Sequence, residues 1–253
     1  MEITVLGSGT SQGVPVVACD CTVCRSTDPF DKRLRTSIMI WQENTCVVID
    51  AGPDFRQQLL RENVKNLEAI LITHSHKDHI GGLDDVRSFN WVQQRPMDVY
   101  ASKDVQKIIK KEYSYAFEEE RYPGVPHFSL KMVNSLPFFV RQLQFIPIKA
   151  LHSKMHVLGY RLGDFSYLTD ANLIEKEELE KMRGSKVIML NALRKKKHPS
   201  HFNLEEALAV IKSLSPEKAF ITHISHQMGL HREVEKELPP NIHLAYDGLK
   251  FSI

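Results

Sequence analysis

Short apolar runs rich in β-branched residues recur along the chain, and they predict β-strands. In the first half of the chain these runs are Ile3–Leu6, Thr36–Trp41, Thr45–Ile49, Leu67–Ile72 and Met97–Ala101. In the second half they are Leu143–Ala150, Val157–Leu162, Phe165–Thr169, Lys186–Leu190, Ala219–Thr222, Leu244–Tyr246 and Leu249–Phe251. The turn-forming pairs Glu43-Asn44 and Gly163-Asp164 each separate two neighbouring runs and predict hairpins.

Helical segments are predicted between these strands. Asp54 is the predicted N-cap of a helix that runs to about Glu62, and Ser102 is the predicted N-cap of one that runs to about Tyr113. Further helices are predicted over Leu83–Phe89, Glu175–Met182 and the amphipathic segment Asn203–Leu214. Two strand-rich halves, each with its own helices, predict an α/β fold in which two packed mixed sheets are flanked by helices.

Length and charge narrow the classes of protein that fit. A chain of 253 residues can form a substantial core, and we expect one domain over residues 1–253. The net charge of +2 excludes a broad basic field of the kind that binds nucleic acid. The sequence has no apolar run of membrane-spanning length, and its start, Met1–Gly7, resembles a strand and not a signal peptide. We therefore expect a cytoplasmic protein with no membrane partner.

The turn after the predicted strand Leu67–Ile72 carries the densest chemistry in the sequence. It contains His74, His76, Asp78 and His79 in the pattern His-x-His-x-Asp-His. Imidazole nitrogens and carboxylate oxygens are suitable ligands for zinc, manganese or iron. Because the first two histidines and the Asp-His pair can point to neighbouring positions, the pattern suits two metals better than one.

Other acids and histidines also follow predicted strands directly. They are Asp50, His152, Asp170 and His223. His156 is a rival of His152 for the same role. Asp50 could order neighbouring loops by accepting backbone N–H bonds, or it could be an ordinary turn aspartate.

These residues, in this order and context, resemble the metallo-β-lactamase superfamily, whose fold is an αββα sandwich with a dinuclear metal centre. The resemblance implies one metal bound by His74, His76 and His152, a second bound by Asp78, His79 and His223, and Asp170 as the bridge between them. It also implies a hydroxide between the metals, with Asp50 ordering the ligands from behind. Two close metals would lower the pKa of shared water enough to form hydroxide near neutral pH.

Three of the four cysteines, Cys19, Cys21 and Cys24, lie close together, whereas Cys46 is separate. In a reducing compartment such a cluster is more often a metal site than a disulfide, although three unrelated thiols are the alternative. A closed zinc site needs a fourth ligand. Here a second resemblance applies, because the loop Gly7–Ser11 and the segment Gly82–Arg87 resemble the branch that contains tRNase Z and PhnP-type cyclic phosphodiesterases. Resemblance to the PhnP type implies a structural zinc completed by His226.

The loop before the helix Asn203–Leu214 supplies a further catalytic candidate. By the same resemblance, His201 could protonate the leaving alkoxide or hold the phosphate, with His198 as its rival. The basic run Arg194–Lys197 either is solvated or attracts phosphate. The irregular aromatic stretch Tyr113–Phe128 could be a lid, a packed surface loop or a dimer contact.

The predicted function is a metal-dependent phosphoric diester hydrolase, with Asp78 and His201 as catalytic residues. By resemblance its substrate is a phosphoribosyl 1,2-cyclic phosphate or a 2′,3′-cyclic nucleotide, and its cofactors are two divalent metals (zinc, manganese or iron) and one structural zinc. The sequence lacks the long basic insertion of tRNase Z, which weighs against a tRNA 3′-processing endonuclease and against a nucleic-acid partner. That endonuclease and a non-catalytic metal-binding or sensor protein are the alternatives, and a homodimer is compatible with the resemblance.

Overall fold

The computed structural model describes residues 1–120 and 122–253, and their strands form two sheets of seven, numbered here in chain order. The first sheet has the order β14 (Lys250–Ser252), β1 (Glu2–Gly7), β2 (Ser37–Gln42), β3 (Thr45–Ile49), β4 (Ala69–Leu71), β5 (Met97–Ala101) and β6 (Phe128–Met132). The second has the order β13 (Ile242–Leu244), β12 (Lys218–Thr222), β11 (Val187–Asn191), β10 (Phe165–Leu168), β9 (Met155–Leu162), β8 (Leu143–His152) and β7 (Phe138–Val140).

Helices cover the outer faces of both sheets. In the described residues the α-helices are α1 (Thr22–Arg25), α2 (Phe55–Arg61), α3 (Lys77–Ile80), α4 (Arg87–Gln93), α5 (Lys103–Glu112), α6 (Lys176–Met182), α7 (Leu204–Leu214) and α8 (His231–Glu235). Ser102 caps α5 by accepting a hydrogen bond from the N–H of Val105, as predicted. Asn203 and Glu206 form a reciprocal capping box at the start of α7.

Three apolar layers hold these elements together. The layer between the sheets joins residues of both, such as Val47 and Leu71 from the first sheet and Phe165 and Met189 from the second. A second layer packs the outer face of the first sheet against its helices, and a third does the same for the second sheet. This arrangement is the predicted αββα sandwich, so the predicted fold class is confirmed.

Several local predictions need correction. Asp54 precedes α2, but it makes no side-chain cap, because its carboxylate instead accepts hydrogen bonds from the backbone N–H and the guanidinium of Arg35. The strand predicted at Leu244–Tyr246 lies at Ile242–Leu244. Strands β6 and β7 were not predicted from the sequence. Both lie at sheet edges, where half-exposed residues give a weak apolar pattern.

None of the helices in the described ranges has both the length and the apolar character that crossing a bilayer requires.

Candidate metal centre

One edge of the sandwich collects the predicted ligands because the strands that carry them run parallel in each sheet. β3 pairs with β4 in the first sheet, and β10, β11 and β12 pair in the second, all in parallel. Asp50, Asp170 and His223 follow their strands with φ angles of 67°, 55° and 57°. This left-handed backbone is unfavourable for residues other than glycine, and such strain is characteristic of functional sites. Of these three residues, Asp170 and His223 are predicted to bind metal, and Asp50 is predicted to order the ligands.

Two groups of metal-ligating side chains meet at Asp170. The first contains Asp78, His79, Asp170 and His223, and the second contains His152, Asp170 and His201. In each group the ligand atoms lie within 4.8 Å of one another. The Nε2 atoms of His79 and His223 lie 3.2 Å and 3.1 Å from the two different oxygens of Asp170. Asp170 is therefore the side chain that the two groups share.

His74 and His76 lie beside the second group. Their ring centroids are 5.8 Å and 5.1 Å from that of His152, and 4.7 Å from each other. The structure thus brings all seven predicted ligands into one cluster, although which metal each would bind stays a prediction. His156, the rival of His152, has an exposed side chain on β9 and is not part of the cluster.

Hydrogen bonds behind the cluster determine which nitrogen of each ring faces inward. The Nδ1–H of His79 donates to Asp50 at 2.7 Å, and the Nδ1–H of His152 donates to the carbonyl of Ser200 at 2.8 Å. Since carboxylate and carbonyl oxygens only accept, the Nε2 of each neutral ring keeps its lone pair. His79 Nε2 lies 3.1 Å from Asp78 Oδ2, so this contact requires a positive charge. Either a proton on Nε2 or a metal cation between the two atoms can supply it.

Unpartnered nitrogens give a second test of whether metals fit. His79 Nε2, His201 Nδ1 and both ring nitrogens of His223 are buried and make no hydrogen bond within the described part of the chain. Leaving a buried polar atom unpaired costs about 1–3 kcal/mol, so such atoms need an explanation. Imidazole and carboxylate ligands converging on one point provide it, because together they fit divalent metal ions.

The charges of the cluster also indicate that it binds cations. Burial opposes a positive charge on His79, but Asp50, Asp78 and Asp170 outweigh it and raise the pKa of His79 well above its ordinary value. Burial likewise opposes the charge on Asp170, yet His223 and His79 hold the pKa of its carboxyl well below the usual range. The carboxylate of Asp170 therefore stays ionised and requires positive charge next to it, which metal ions would supply.

Thr73, which the sequence reasoning missed, anchors Asp50 to the histidine turn. Its N–H donates to Asp50 Oδ1 at 2.9 Å, and its hydroxyl donates to Asp50 Oδ2 at 2.9 Å. The same hydroxyl lies 3.0 Å from His74 Nδ1 and can accept its proton. Asp50 therefore orders two of the predicted ligands, His74 through Thr73 and His79 directly. Thr73 comes immediately before His74 in the motif, and this position was the signal from which its role could have been predicted.

Gly52 lets the loop after Asp50 pack directly on the helix that carries Asp78. A Cβ atom at Gly52 would lie 2.0 Å from the backbone oxygen of Asp78. Such a contact is sterically forbidden, so a side chain there would displace Asp78 or the loop. The distance between these two backbone segments thus depends on this glycine.

His201 lies within the cluster and not beside it. Its Nδ1 is 3.7 Å from Asp170 Oδ1, and its ring centroid is 4.5 Å from that of His152. The side chain is buried, and burial together with His223 lowers its pKa to about 3. His198, its rival, lies farther out with a ring 5.1 Å from that of His201. The geometry thus favours His201 over His198 and also makes His201 a potential ligand.

The three clustered cysteines meet His226 at a separate point. The sulfurs of Cys19, Cys21 and Cys24 lie 3.3, 3.3 and 3.5 Å from the Nδ1 of His226. Cys21 is the N-cap of α1, and its Sγ accepts a hydrogen bond from the N–H of Cys24. This bond helps to lower the pKa of Cys21 to about 6. Three sulfurs and one imidazole nitrogen in this arrangement fit a tetrahedral zinc. Cys46 is buried elsewhere.

The two ends of the aromatic stretch Tyr113–Phe128 contact the protein, whereas most of its middle is exposed and Arg121 lies outside the described residues. Tyr113 is buried, donates to the carbonyl of Ile80 and contacts the ring of Phe128. Tyr115 donates to Asp84. These contacts favour the packed loop over the lid, whereas Tyr122 is exposed.

With this geometry established, comparison with known proteins identifies the family. A family model described as "Beta-lactamase superfamily domain" matches residues 45–224. The chain belongs to the metallo-β-lactamase superfamily. A solved diphosphatase of the PhnP family has a TM-score of 0.93 and 39% identity, covering 100% of this chain and 97% of that one. The predicted resemblance to the PhnP branch is confirmed, as is the predicted class of enzyme, a metal-dependent hydrolase.

Two further similarities have narrower meaning. Zn²⁺-bound PqqB from Methylobacterium extorquens has a TM-score of 0.80 with full coverage of both chains, but at 16% identity it shows the fold alone. An octanoyltransferase of Porphyromonas gingivalis is 42% identical over 99% of this chain and 51% of its own length. The chain thus spans about half the length of the curated relatives it matches first. The name octanoyltransferase belongs to that longer protein as a whole.

Proposed function

We propose that the protein is a binuclear metal-dependent phosphodiesterase that hydrolyses a small cyclic phosphodiester. The observation that supports this most strongly is the position of Asp170, whose two oxygens lie beside His79 and His223 while the carboxylate also belongs to the group with His152. When bound, two divalent metals would activate water and neutralise charge on the phosphoryl oxygens.

The family resemblance supplies the proposed division of the ligands. One metal would be held by His74, His76 and His152 and the other by Asp78, His79 and His223, with Asp170 shared between them. Asp50 and Thr73 hold the rings from behind, and their hydrogen bonds leave the Nε2 lone pairs free to face inward. The protein therefore presents a preorganised site that needs little rearrangement to bind metals.

In the proposed reaction, a water oxygen attacks phosphorus and the bond from phosphorus to one ester oxygen breaks. The leaving oxygen takes up a proton, and the product is a phosphomonoester. We assign a hydrogen bond to that leaving oxygen to His201, since it is the remaining imidazole in the cluster and its lowered pKa leaves the ring neutral with one N–H. Asp78 on α3 would hold one of the two metals, so the same step would require it.

The alternative role of His201, as a metal ligand, can be tested directly. If it assists the leaving group, His201→Ala should lower kcat by about 100-fold or more, in the range of general acid catalysis, with unchanged metal content. If it is a ligand, the same variant should lose metal. His198→Ala is the matched control, and we expect it to leave both quantities nearly unchanged.

A second substrate class is favoured by one observation, the name of the 39%-identical structure, a diphosphatase. Hydrolysis of a diphosphate uses the same attack of water on phosphorus but breaks a phosphoanhydride bond. The two candidates are distinguished by measuring kcat/KM for 2′,3′-cyclic AMP, phosphoribosyl 1,2-cyclic phosphate and a nucleoside diphosphate. A preference for the diphosphate would contradict the proposal of a cyclic substrate but would leave the proposal of a metal-dependent hydrolase intact.

We further propose that Cys19, Cys21, Cys24 and His226 bind a structural zinc. This zinc would fasten the loop that follows β1 to the segment after His223. Support comes from the backbone, because Thr10 donates to the carbonyl of Ile224, and Ile224 donates to that of Ser8. A short loop with little apolar core gains stability from such a tie.

A further inference from the structure

A cavity distinct from the metal centre opens between the edge strands β13 and β14. Its volume is about 720 Å³, within the range of about 300–1,000 Å³ typical of small-molecule sites. Lys218 lines it at the start of β12, whereas His223 follows the other end of that strand. Five residues of extended chain separate the two, which corresponds to roughly 16 Å. The cavity therefore does not belong to the metal site.

Aromatic side chains form much of the cavity wall. Phe30 lies 4.4 Å from Tyr246, and Phe220 is stacked on Phe251 at 4.6 Å, measured between ring centroids. Phe30, Tyr246 and Phe251 are only half-buried, so parts of these rings face the cavity. Such surfaces favour planar aromatic ligands, which gain by stacking as well as by burial.

The charge of the lining is positive. The lining contains one carboxylate, Glu235, and four cationic side chains, which are Lys218, Arg232, Lys236 and Lys250. Both oxygens of Glu235 are occupied, one by His243 Nδ1 at 2.7 Å and the other by the N–H of Leu244 at 2.8 Å.

The four cations differ in their partners. Arg232 pairs with Asp28, and Lys250 pairs with Glu62. Neither Lys218 nor Lys236 has an ion-pair partner among the residues that the structure describes. Two unneutralised ammonium groups beside aromatic rings therefore favour a ligand that is both aromatic and anionic.

A buried arginine, Arg33, fixes the orientation of His231, one of the residues that line the cavity. The guanidinium of Arg33 donates to His231 Nδ1 at 3.0 Å and to the hydroxyl of Ser8 at 2.8 Å. Because a guanidinium only donates, Nδ1 of His231 must be the acceptor and Nε2 must carry the proton. Burial and the nearby Arg33 also lower the pKa of His231 to about 4, so the ring is neutral. This cavity-lining ring, only 6% exposed, thus has a fixed N–H that makes no hydrogen bond in the described structure.

From these features we infer that the cavity between β13 and β14 binds a nucleoside monophosphate, with its base against Phe30, Tyr246 and Phe251 and its phosphate at Lys218 and Lys236. A free nucleotide fits the volume of this open cavity, and both halves of the molecule find matching chemistry. The N–H of His231 provides a donor for the base or the sugar.

The test is a calorimetric titration of the metal-loaded protein with AMP. Adenosine and ribose 5-phosphate serve as probes for the two halves of the ligand. AMP could also bind the metal centre as a product, so the same titration is made with Asp78→Ala. We expect AMP to bind wild type and Asp78→Ala with dissociation constants equal within about twofold, and each half-ligand to bind at least about tenfold more weakly.

Charge reversal then locates the site. Lys218→Glu combined with Lys236→Glu should weaken AMP binding by at least about tenfold, since it replaces attraction by repulsion. Lys110→Glu, which changes an exposed lysine of α5, is the matched control and should have no effect. Lys218 and Lys236 are both exposed, and the melting temperature checks that the variants fold.

Three results would overturn the inference. One is no heat of binding at millimolar AMP, and another is binding that survives the double charge reversal. The third is binding that disappears in Asp78→Ala, which would place the nucleotide at the metal centre. None of these depends on whether the metal centre hydrolyses phosphodiesters.

Discussion

Replacing Asp50 by asparagine tests whether hydrogen bonds behind the cluster set its metal affinity. Asparagine keeps the shape of the side chain and tolerates the left-handed backbone at φ 67°. It exchanges one acceptor oxygen for an amide donor. That donor must then face either the Thr73 N–H, now 2.9 Å from Oδ1, or the His79 Nδ1–H, now 2.7 Å from Oδ2.

Each orientation of the amide has a cost. One buried donor facing another costs about 1–3 kcal/mol. His79 could avoid the clash by moving its proton to Nε2, but this nitrogen would then have no lone pair for a metal. Removing such a supporting partner typically weakens metal binding or activity by about 10–100-fold. We expect losses in this range for Asp50→Asn.

The assay is competition for metal with a chromophoric chelator, together with urea unfolding of the metal-free protein. Asp247→Asn is the matched control, because Asp247 is also largely buried and accepts hydrogen bonds from the Ser8 N–H, the Ser8 hydroxyl and the Leu34 N–H. It should lower stability by a similar amount without changing metal affinity. Unchanged metal affinity in Asp50→Asn would refute the role assigned to Asp50.

Three further changes test other parts of the account. Gly52→Ala places a Cβ 2.0 Å from the Asp78 carbonyl oxygen. We expect a lower melting temperature and loss of the metal that Asp78 would hold, and normal metal content would argue against that contact. In EDTA, the raised pKa of His223, about 9, predicts stability that is full below about pH 6.5 and falls as pH rises to 9. With metals bound, this fall in melting temperature should shrink, and equal profiles would contradict the metal assignment. Cys21→Ser should make the loop near Cys24 sensitive to limited proteolysis while Cys46→Ala does not, and equal resistance would exclude a structural zinc.

The strands that deliver the ligands were predictable because their chemistry and their pattern coincide. Each buried run of β-branched residues ends directly at an acid or a histidine, as in Leu67–Ile72 before the motif with His74. The edge strands β6 and β7 lack this contrast, because exposed residues interrupt their apolar positions. Asp54 was misjudged for a different reason, since Arg35, distant in sequence, competes for its carboxylate.

The sequence alone did not predict which remote segments of the chain lie close together. His201 approaches Asp170 because the Phe202 N–H donates to the carbonyl of Ala171 at 2.7 Å, and nothing in the local pattern indicates that contact. The place of His226 beside the three cysteines likewise depended on family resemblance. The cavity between β13 and β14 was not anticipated, because its wall combines residues from five separate segments of the chain.

The central claim is that Asp170 joins two metal positions in a hydrolytic site, apart from a structural zinc. The most direct measurement is metal content per chain alongside hydrolysis of bis(p-nitrophenyl) phosphate, for wild type and Asp170→Ala. We expect about three metals in the wild type from the two proposed four-ligand positions and the cysteine site. We expect Asp170→Ala to keep only the zinc at the cysteines and to lose turnover. An Asp170→Ala variant that keeps every metal and hydrolyses the diester at the wild-type rate would contradict it.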